Sequence, residues 1–160
     1  MNIKSGIGFD AHRFCDDRKL ILGGIEIPYH KGLAGHSDAD VLIHAIIDSL
    51  VGPALCKDIG VLFPDTDQSL KNIDSKELLK QTIKLIKAEG WSISHIDSEI
   101  IAQVPKISPY IDKMRKVLSD IIGIDITSLS IKATTTEKMG FTGREEGIAV
   151  IASSIIIKGV

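Results

Sequence analysis

Residues 35–50 read GHSDADVLIHAIIDSL, and this stretch decides the fold because it predicts a helix that is apolar on most of its sides. We expect Ser37 to cap the start of the helix, with Asp40 at the reciprocal position of a capping box. Asp40, His44 and Asp48 follow one another at i, i+4 and i+8, so they predict one polar stripe along the helix. Because burying an ionisable group without a partner is costly, the stripe indicates a functional site, or groups that support one.

Length and composition indicate a single domain over residues 1–160. A chain of this length buries a core without disulfides, and its two cysteines match no paired metal spacing. The net charge is −2 and aromatic residues make up 4%, which argues against nucleic acid as a partner. The N-terminus lacks the pattern of a signal peptide and no apolar run is long enough for a membrane span. We therefore expect a cytoplasmic protein with no membrane partner.

The remaining sequence alternates between strand and helix patterns. Gly6 and Gly8 suit a strand that another group approaches closely, and residues 58–67 are typical of a loop. The order of the elements indicates the α/β (α+β) class, with a mixed sheet and βαβ crossovers. The predicted strands cover 3–14, 92–104, 129–133 and 147–158, a hairpin with a Gly-Gly turn covers 19–28, and helices cover 75–89 and 109–123.

The last predicted strand, residues 147–158, is apolar on both faces. Three helices of the predicted lengths are enough to cover only one face of the sheet. We therefore expect helices on one face and self-association of the chain at the other, as a cyclic homo-oligomer.

Asp10, His12 and His44 form a candidate metal site. On a strand, Asp10 and His12 lie on the same face, and His44 belongs to the polar stripe of the helix. One carboxylate and two imidazoles are the ligands of a catalytic zinc or a related divalent ion. Taken singly, each histidine is more simply a hydrogen-bonded residue of the core or surface, so it is the combination that favours a metal.

A second candidate site follows the strand at 129–133, where residues 132–144 read KATTTEKMGFTGR. Threonine hydroxyls, flexible glycines and basic side chains are suited to binding phosphate, although the same residues also suit a polar turn. Glu137 tilts the interpretation towards phosphate bound together with Mg²⁺ or Mn²⁺, because a carboxylate binds these ions rather than phosphate. His36 lies where free helix N–H groups attract an anion, so it is a further candidate for a phosphate contact.

Several blocks of the sequence resemble the 2-C-methyl-D-erythritol 2,4-cyclodiphosphate synthase family of the non-mevalonate isoprenoid (terpenoid) pathway. The resemblance covers essentially the whole chain, with the blocks in order. Ala39 and Ala11 stand where the family usually has Gly and Val, and residues 107–108 fall in a variable stretch. The blocks are GFDAH at 8–12, HSDADV at 36–41, DIG at 58–60, FPDTD at 63–67, KATTTEK at 132–138 and GFTGR at 140–144.

The resemblance implies a zinc ion, or Mn or Co, held by Asp10, His12 and His44. It implies a second ion, Mg²⁺ or Mn²⁺, at the diphosphate beside Glu137. It also implies that His36 and Thr135 stabilise the transition state, and that the protein is a homotrimer with its sites between subunits. The substrate-binding residues that it implies are Asp10, His12, His36, Ser37, Asp58, Gly60, Phe63, Asp65, Asp67, Ala102, Lys106, Ala133, Thr134, Thr135, Glu137, Phe141 and Arg144.

The implied reaction is intramolecular. The 2-phosphate of 4-diphosphocytidyl-2-C-methyl-D-erythritol 2-phosphate attacks its own β-phosphorus and releases CMP, a step that needs alignment and charge neutralisation but no protein nucleophile. One alternative is a metal-dependent nucleotide phosphohydrolase that uses His36, Asp38, Asp40 and His44, which is disfavoured because the two carboxylates cannot share one helix face with His44. A non-catalytic trimer that binds nucleotide or metal is the other. Asp40 and Asp48 are then expected to support the site rather than to bind its ligands.

Overall fold

The structure, a computed structural model, describes residues 1–159 as one mixed sheet with helices on one side. Short 3-10 turns at Gln68–Leu70, Ser108–Tyr110 and Ile126–Ser128 join the main elements. The strands are β1 (Asn2–Cys15), β2 (Leu20–Leu22), β3 (Ile25–Ile27), β4 (Gly32–Leu33), β5 (Ser92–Ile101), β6 (Leu129–Thr134) and β7 (Gly147–Lys158). The helices are α1 (Val41–Leu55), α2 (Ile59–Leu62), α3 (Ser75–Ala88), α4 (Ile111–Ile122) and α5 (Gly140–Gly143).

The main sheet has five strands in the order β4-β1-β7-β5-β6. All neighbouring pairs are antiparallel except β5 and β6, which are parallel and joined through α4. The predicted α/β class, the mixed sheet and a βαβ crossover are therefore confirmed. The predicted hairpin is also confirmed as β2–β3, a separate two-stranded sheet in which Gly23 and Gly24 have φ of 60° and 74°. A two-residue turn with both φ angles positive is the geometry that favours glycine.

Helix α1 lies directly on β1, and two glycines permit this close approach. A Cβ atom at Gly6 would lie 1.9 Å from the carbonyl oxygen of Ser49, and one at Gly8 would lie 2.0 Å from that of Ala45. The predicted close approach is therefore confirmed, and the approaching group is the backbone of α1. The helix is buried on nearly every side, since its apolar residues from Val41 to Val51 have no exposed surface.

The start of α1 corrects the predicted cap. The helix begins at Val41 and its N-cap is Asp40, whose side chain accepts a hydrogen bond from the Ile43 amide at 3.1 Å. The prediction that Ser37 caps the helix is wrong, because the chain between Ser37 and Asp40 is not helical and Ala39 has a positive φ of 60°. The Asp40 carbonyl oxygen accepts from the His44 amide at 3.0 Å, one turn on, but the Asp40 side chain folds back to cap the helix and does not lie beside His44.

Other element boundaries also differ from the predictions. Strand β5 ends at Ile101 rather than 104, because the chain turns into the cis peptide at Val104–Pro105. Part of the predicted loop at 58–67 is helical, since Asp58 caps the single turn α2. The helix predicted from residue 109 begins as a 3-10 turn and becomes α4 at Ile111. Helix α3 agrees with its prediction within one residue, and Gly123 with φ of 76° ends α4 as expected.

The opposite face of the sheet is not covered by helices. The even-numbered residues of β7 from 148 to 156 are buried under α1, whereas the odd-numbered residues from 151 face the other way. Ile7 and Phe9 on β1 are 74% and 58% exposed, and Ile151 and Ile155 on β7 are each 41% exposed. The prediction of an apolar face without a helical cover is confirmed. Within residues 1–159, none of the helices is long and apolar enough to cross a membrane.

Candidate metal centre and adjoining pocket

Asp10, His12 and His44 lie together, and we call these three residues the metal centre. Strand β1 supplies the first two from the face that is turned towards α1, and α1 supplies the third. The Asp10 Oδ2 atom lies 2.8 Å from His12 Nε2 and 3.1 Å from His44 Nδ1. The two ring nitrogens are 3.2 Å apart. Within residues 1–159 this is the one group of Asp, Glu, His or Cys side chains arranged to hold a metal ion.

The hydrogen bond on the outer side of His12 determines where its proton lies. His12 Nδ1–H donates to the carbonyl oxygen of Ala34 at 2.6 Å, and a carbonyl oxygen can only accept. In the neutral imidazole, Nε2 therefore keeps its lone pair and points it at Asp10 Oδ2 and at His44 Nδ1. Acceptor atoms that face one another this closely need a cation between them. A carboxylate oxygen and two imidazole nitrogens are a donor set that fits zinc or a related divalent ion.

The electrostatics of the metal centre also favour a cation. Burial by itself raises the pKa of the Asp10 carboxyl, but the hydrogen bonds and charges of His12 and His44 outweigh burial and hold this pKa well below its usual range. Burial lowers the pKa of the His12 imidazole, whereas the hydrogen bond and charge of Asp10 raise it, and the net effect is a rise. Without a metal ion, a proton on His12 supplies the positive charge, so protons and metal ions compete for the same position.

A cavity of about 470 Å³ opens beside the metal centre. Loop 35–37 forms one wall, and α2 with the chain that follows it forms another. Asp48 lines the cavity and its Oδ1 accepts a hydrogen bond from the Ile59 amide at 3.0 Å, so it anchors α2. Seven of the residues predicted to bind substrate line this cavity, namely Asp10, His12, His36, Ser37, Gly60, Phe63 and Asp65.

Two further predicted residues of this region, Asp58 and Asp67, have structural hydrogen bonds. Asp58 Oδ1 accepts from the Val61 amide at 2.9 Å and thereby caps α2. Asp67 Oδ1 accepts from the amide and the hydroxyl of Ser69. His36 Nε2 lies 3.2 Å from the carbonyl oxygen of Asp67, which holds the half-buried imidazole against the cavity. Neither Asp58 nor Asp67 lines the cavity itself.

The remaining residues predicted to bind substrate lie on or near β5 and β6, two or three strands away from β1 in the sheet. Asp10 pairs with Val150, Val150 with Ile100, and Ile100 with Ala133. At about 4.8 Å between neighbouring strands, Ala133 is roughly 14 Å from Asp10. None of these residues lines the cavity beside the metal centre, and they are Ala102, Lys106, Ala133, Thr134, Thr135, Glu137, Phe141 and Arg144.

Residues 134–144, which we call the threonine loop, are held mainly by hydrogen bonds within the loop and with neighbouring residues of the same chain. Thr135 Oγ1 donates to Glu137 Oε1 at 3.2 Å, and the Lys138 amide donates to Gln103 Oε1 at 3.1 Å. Glu137 and Lys138 have positive φ angles of 52° and 66°. Most of the loop is exposed, so its polar groups are available to a ligand or a second chain.

The Asp40 side chain does not belong to the predicted polar stripe. Its carboxylate is fully buried and accepts the Gly23 amide at 2.9 Å and the Gly24 amide at 2.7 Å, in addition to the Ile43 amide. Burial raises the pKa of Asp40, an effect that the Gly24 hydrogen bond opposes and the nearby Asp38 charge reinforces. Asp40 therefore fastens the β2–β3 hairpin to α1 and does not contact the metal centre. Since Asp38 is bound to Ser75, the carboxylate pair that the phosphohydrolase alternative requires is not assembled around His44.

Sequence reasoning missed three residues that shape the site. Arg18 donates to the carbonyl oxygens of Gly35 at 2.7 Å and Ser37 at 2.5 Å, so it fastens the loop that carries His36. Ser75 and Asp38 contact each other, and Ser75 also contacts His44. Arg18 belongs to no motif that predicts such a contact, and the sequence pattern predicts Ser75 only as the first residue of a helix.

The fold and the site define a mixed α/β protein with a carboxylate–imidazole metal centre at the edge of a polar cavity. The YgbB family model matches residues 3–157. The chain therefore belongs to the YgbB family. It is similar to the 2-C-methyl-D-erythritol 2,4-cyclodiphosphate synthase of Clostridium acetobutylicum, with 56% identity over 97% of this chain and 100% of the relative.

Bifunctional relatives and solved structures also match this chain. The chain is 56% identical to the bifunctional enzyme IspD/IspF of Nitratiruptor over 94% of its own length, but it spans only 40% of that relative. The structure of bifunctional IspDF from Campylobacter jejuni matches with a TM-score of 0.93 and 42% identity, over 97% of this chain and 42% of that one. The CDP complex of IspF from Plasmodium falciparum matches with a TM-score of 0.86 and 33% identity, over 99% of this chain and 98% of that one.

Proposed function

We propose that this chain is a 2-C-methyl-D-erythritol 2,4-cyclodiphosphate synthase, a phosphorus–oxygen lyase of isoprenoid biosynthesis. The observation that carries the proposal is the convergence of Asp10, His12 and His44 beside a cavity in a chain whose family relatives bear this name. The substrate is 4-diphosphocytidyl-2-C-methyl-D-erythritol 2-phosphate. Its 2-phosphate oxygen forms a bond to the β-phosphorus, the bond from that phosphorus to the bridging oxygen breaks, and CMP leaves with the electron pair.

The cavity side of the site binds the methylerythritol phosphate. Gly60, Phe63 and Asp65 line the wall that faces the metal centre, and Asp58 and Asp67 hold the turns that carry them. His36 at the cavity mouth is placed to donate a hydrogen bond to a phosphoryl oxygen. This arrangement aligns the 2-phosphate with the β-phosphorus, and alignment is what an intramolecular phosphoryl transfer chiefly requires.

The cytidine side of the site comes from the threonine loop and from residues 102–108 of a second chain. Within one chain Ala133, which precedes the threonine loop on β6, lies roughly 14 Å from Asp10 across the sheet, which is too far for a single diphosphate to contact both residues directly. The exposed apolar face of β1 and β7 supports assembly, since an uncovered patch of this kind favours burial against other copies. We propose a homotrimer whose sites lie between subunits, with Lys106, Thr134 and Arg144 contacting the nucleotide from the neighbouring chain.

The metal centre is proposed to hold zinc, or Mn or Co, and Glu137 is proposed to hold Mg²⁺ or Mn²⁺ at the diphosphate. When bound, these ions neutralise phosphate charge and polarise the phosphorus under attack. The chain's own part is to position donors where charge develops: His36 and the Thr135 hydroxyl stabilise the transition state. Because the nucleophile is a phosphate of the substrate itself, no covalent protein intermediate is required.

The two cysteines are free thiols, which supports a cytoplasmic location for a single-domain enzyme of this kind.

The proposed reaction can be tested directly. Protein purified with its metal should be incubated with the diphosphocytidyl substrate and Mg²⁺, and the products should be followed by phosphorus NMR. We expect CMP and one cyclic diphosphate. Inorganic phosphate would instead support the phosphohydrolase, and binding without turnover by metal-replete protein would support the non-catalytic alternative.

A further inference from the structure

The metal-binding imidazole of His44 has a second set of neighbours on its outer side. Its Nδ1 atom faces Asp10 and His12, whereas its Nε2 atom lies 3.1 Å from the hydroxyl oxygen of Ser75 and 3.1 Å from that of Ser37. Ser75 has no exposed surface and is the first residue of α3, on an element separate from α1 and β1. Helix α3 therefore reaches the back of a metal ligand.

The hydroxyl proton of Ser75 has a defined partner. Ser75 Oγ donates to Asp38 Oδ1 at 2.5 Å, and the Ser75 amide donates to Asp38 Oδ2 at 3.1 Å. A carboxylate only accepts hydrogen bonds, so the hydroxyl proton points at Asp38. The lone pairs of Ser75 Oγ are left for His44 and for Ser37, whose hydroxyl oxygen is 3.3 Å away.

This direction determines the tautomer of His44. If Nε2 carried a lone pair, it would face the lone pairs of Ser75 Oγ at 3.1 Å without a proton between them. If Nε2 carries the proton, Ser75 accepts it, and Ser37 is free to donate its own proton to Ser75. With a cation in the metal centre the second arrangement satisfies every group, because the lone pair on His44 Nδ1 then faces that cation together with Asp10 Oδ2 and His12 Nε2.

We propose that Ser75 and Asp38 are positioning residues of the metal centre, which keep the His44 proton on Nε2 and leave Nδ1 free for the metal. The inference rests on the proposed metal centre and goes beyond it by assigning two residues outside the ligand set and the substrate pocket. Groups that fix the tautomer of a metal-binding histidine strengthen metal affinity about 10–100-fold. They have this effect without touching the metal or the substrate.

Two variants test the proposal by different routes. Ser75→Ala removes the acceptor of the His44 proton. Asp38→Asn keeps the shape but leaves one oxygen where the carboxylate has two, and those two oxygens accept the Ser75 hydroxyl, the Ser75 amide and the Asp40 amide. The Ser75 hydroxyl proton is then no longer fixed on residue 38, so Ser75 becomes a poorer acceptor for the His44 proton. Thr82→Val is the matched control, since Thr82 is a fully buried hydroxyl on the same helix with no hydrogen-bond partner.

The first measurement is the zinc affinity of each protein by competition with a chromogenic chelator, without substrate. We expect Ser75→Ala and Asp38→Asn to bind zinc about 10–100-fold more weakly than the wild type, and Thr82→Val to bind it equally well. Equal affinity in folded Ser75→Ala and Asp38→Asn would overturn the inference while leaving the metal centre in place. A wild-type protein that bound no zinc would overturn the inference and the proposed metal centre together.

The second measurement is nitrogen NMR of the His44 ring in zinc-loaded protein, where the zinc supplies the cation that faces Nδ1. We expect zinc on Nδ1 and a proton on Nε2 that is hydrogen-bonded to Ser75 in the wild type and in Thr82→Val, and a weaker Nε2 hydrogen bond in Asp38→Asn, seen as a shift of the N–H resonance. This result does not depend on whether Ser75→Ala folds. A wild-type proton on Nδ1 would overturn the inference, even if the Ser75→Ala variant lost zinc through a change in folding.

Discussion

The metal centre and the threonine loop differ in how much of their geometry one chain determines. The metal centre joins a strand and a helix whose backbones touch at Gly6 and Gly8, and its ligand atoms lie within hydrogen-bonding distance of one another. The threonine loop is exposed, and its side chains bond mostly within the loop or to residues near it. One half of the proposed site is therefore preorganised by the core, whereas the proposal completes the other half with its ligand and a neighbouring chain. Substitutions in the two regions should accordingly have different consequences.

The largest effect is expected from Gly8→Val, which tests whether helix packing builds the metal centre. A Cβ atom there would lie 2.0 Å from the Ala45 carbonyl oxygen, so α1 has to move away from β1 and carry His44 with it. We expect a loss of about 3 kcal/mol in the free energy of unfolding and loss of zinc, measured by denaturant titration and metal analysis. Ala11→Val, on the exposed face of the same strand, is the control and should keep both. Zinc retained by Gly8→Val would contradict this account of the packing.

His44→Ala separates the ligand from the packing. We expect loss of bound zinc and of activity with the fold retained, because removing the imidazole deletes one of three ligands but leaves the contact of α1 with the two glycines intact. Metal analysis, circular dichroism and the phosphorus NMR assay measure the three properties. A variant that kept stoichiometric zinc would remove His44 from the ligand set.

Thr135→Ala is the corresponding change in the threonine loop. Its hydroxyl contacts only Glu137, so we expect zinc content, trimer and unfolding midpoint to match the wild type. Turnover should fall about 100-fold if the hydroxyl stabilises developing charge. Light scattering measures the trimer, metal analysis measures the zinc content and steady-state kinetics measures turnover in the same variant. Unchanged turnover would refute the transition-state role, and loss of zinc would refute the independence of the two regions.

The pH dependence of zinc binding should follow the metal centre alone. Burial lowers the pKa of His12 and Asp10 raises it, with a net rise, so its contribution to the stability of metal-free protein is present below about pH 6.5 and is lost as pH rises through the raised pKa. The lowered pKa of Asp10 gives a contribution that is present above about pH 4 and is lost as pH falls.

Zinc displaces the proton from His12, so its stabilising effect should change in the opposite direction. We expect the rise in Tm on adding zinc to be larger at pH 8 than at pH 5.5, with affinity falling about tenfold per pH unit below the His12 pKa. Thermal unfolding with and without zinc at both pH values measures this. The same rise at both pH values would contradict competition between proton and metal.

Local patterns predicted much of this structure, because they depend on residues close in sequence. The Gly-Gly turn, the end of α4 at Gly123 and the shared face of Asp10 and His12 follow from backbone geometry alone. The partner of Asp40 could not be predicted in the same way, since it is a hairpin that tertiary packing brings to the start of α1. The contact of Ser75 with His44 likewise depends on how α3 packs against α1.

The separation between the metal centre and the threonine loop was also beyond local reasoning. The metal centre lies on β1 and α1 and the threonine loop follows β6, and only the strand order places β7 and β5 between β1 and β6. That order depends on long-range pairing, such as that of Asp10 with Val150, which no periodicity encodes. The family resemblance supplied a hypothesis that the residue patterns did not, namely that the two halves are completed between subunits.

The smallest expected effect concerns Thr82, which distinguishes buried hydroxyls that serve the site from those that do not. Its Oγ1 is the one buried side-chain polar atom within residues 1–159 that has no hydrogen-bond partner. Valine has nearly the same shape, so Thr82→Val should raise the free energy of unfolding by about 1 kcal/mol, measured by denaturant titration. Ser75→Ala should lower it instead, because the Asp38 carboxylate loses the bond from the Ser75 hydroxyl and the His44 imidazole loses the buried acceptor at Nε2. If the free energy of unfolding rises in Thr82→Val and falls in Ser75→Ala, then only the Ser75 hydroxyl contributes hydrogen bonds that stabilise the protein. A loss of stability in Thr82→Val would mean that Thr82 has a polar partner.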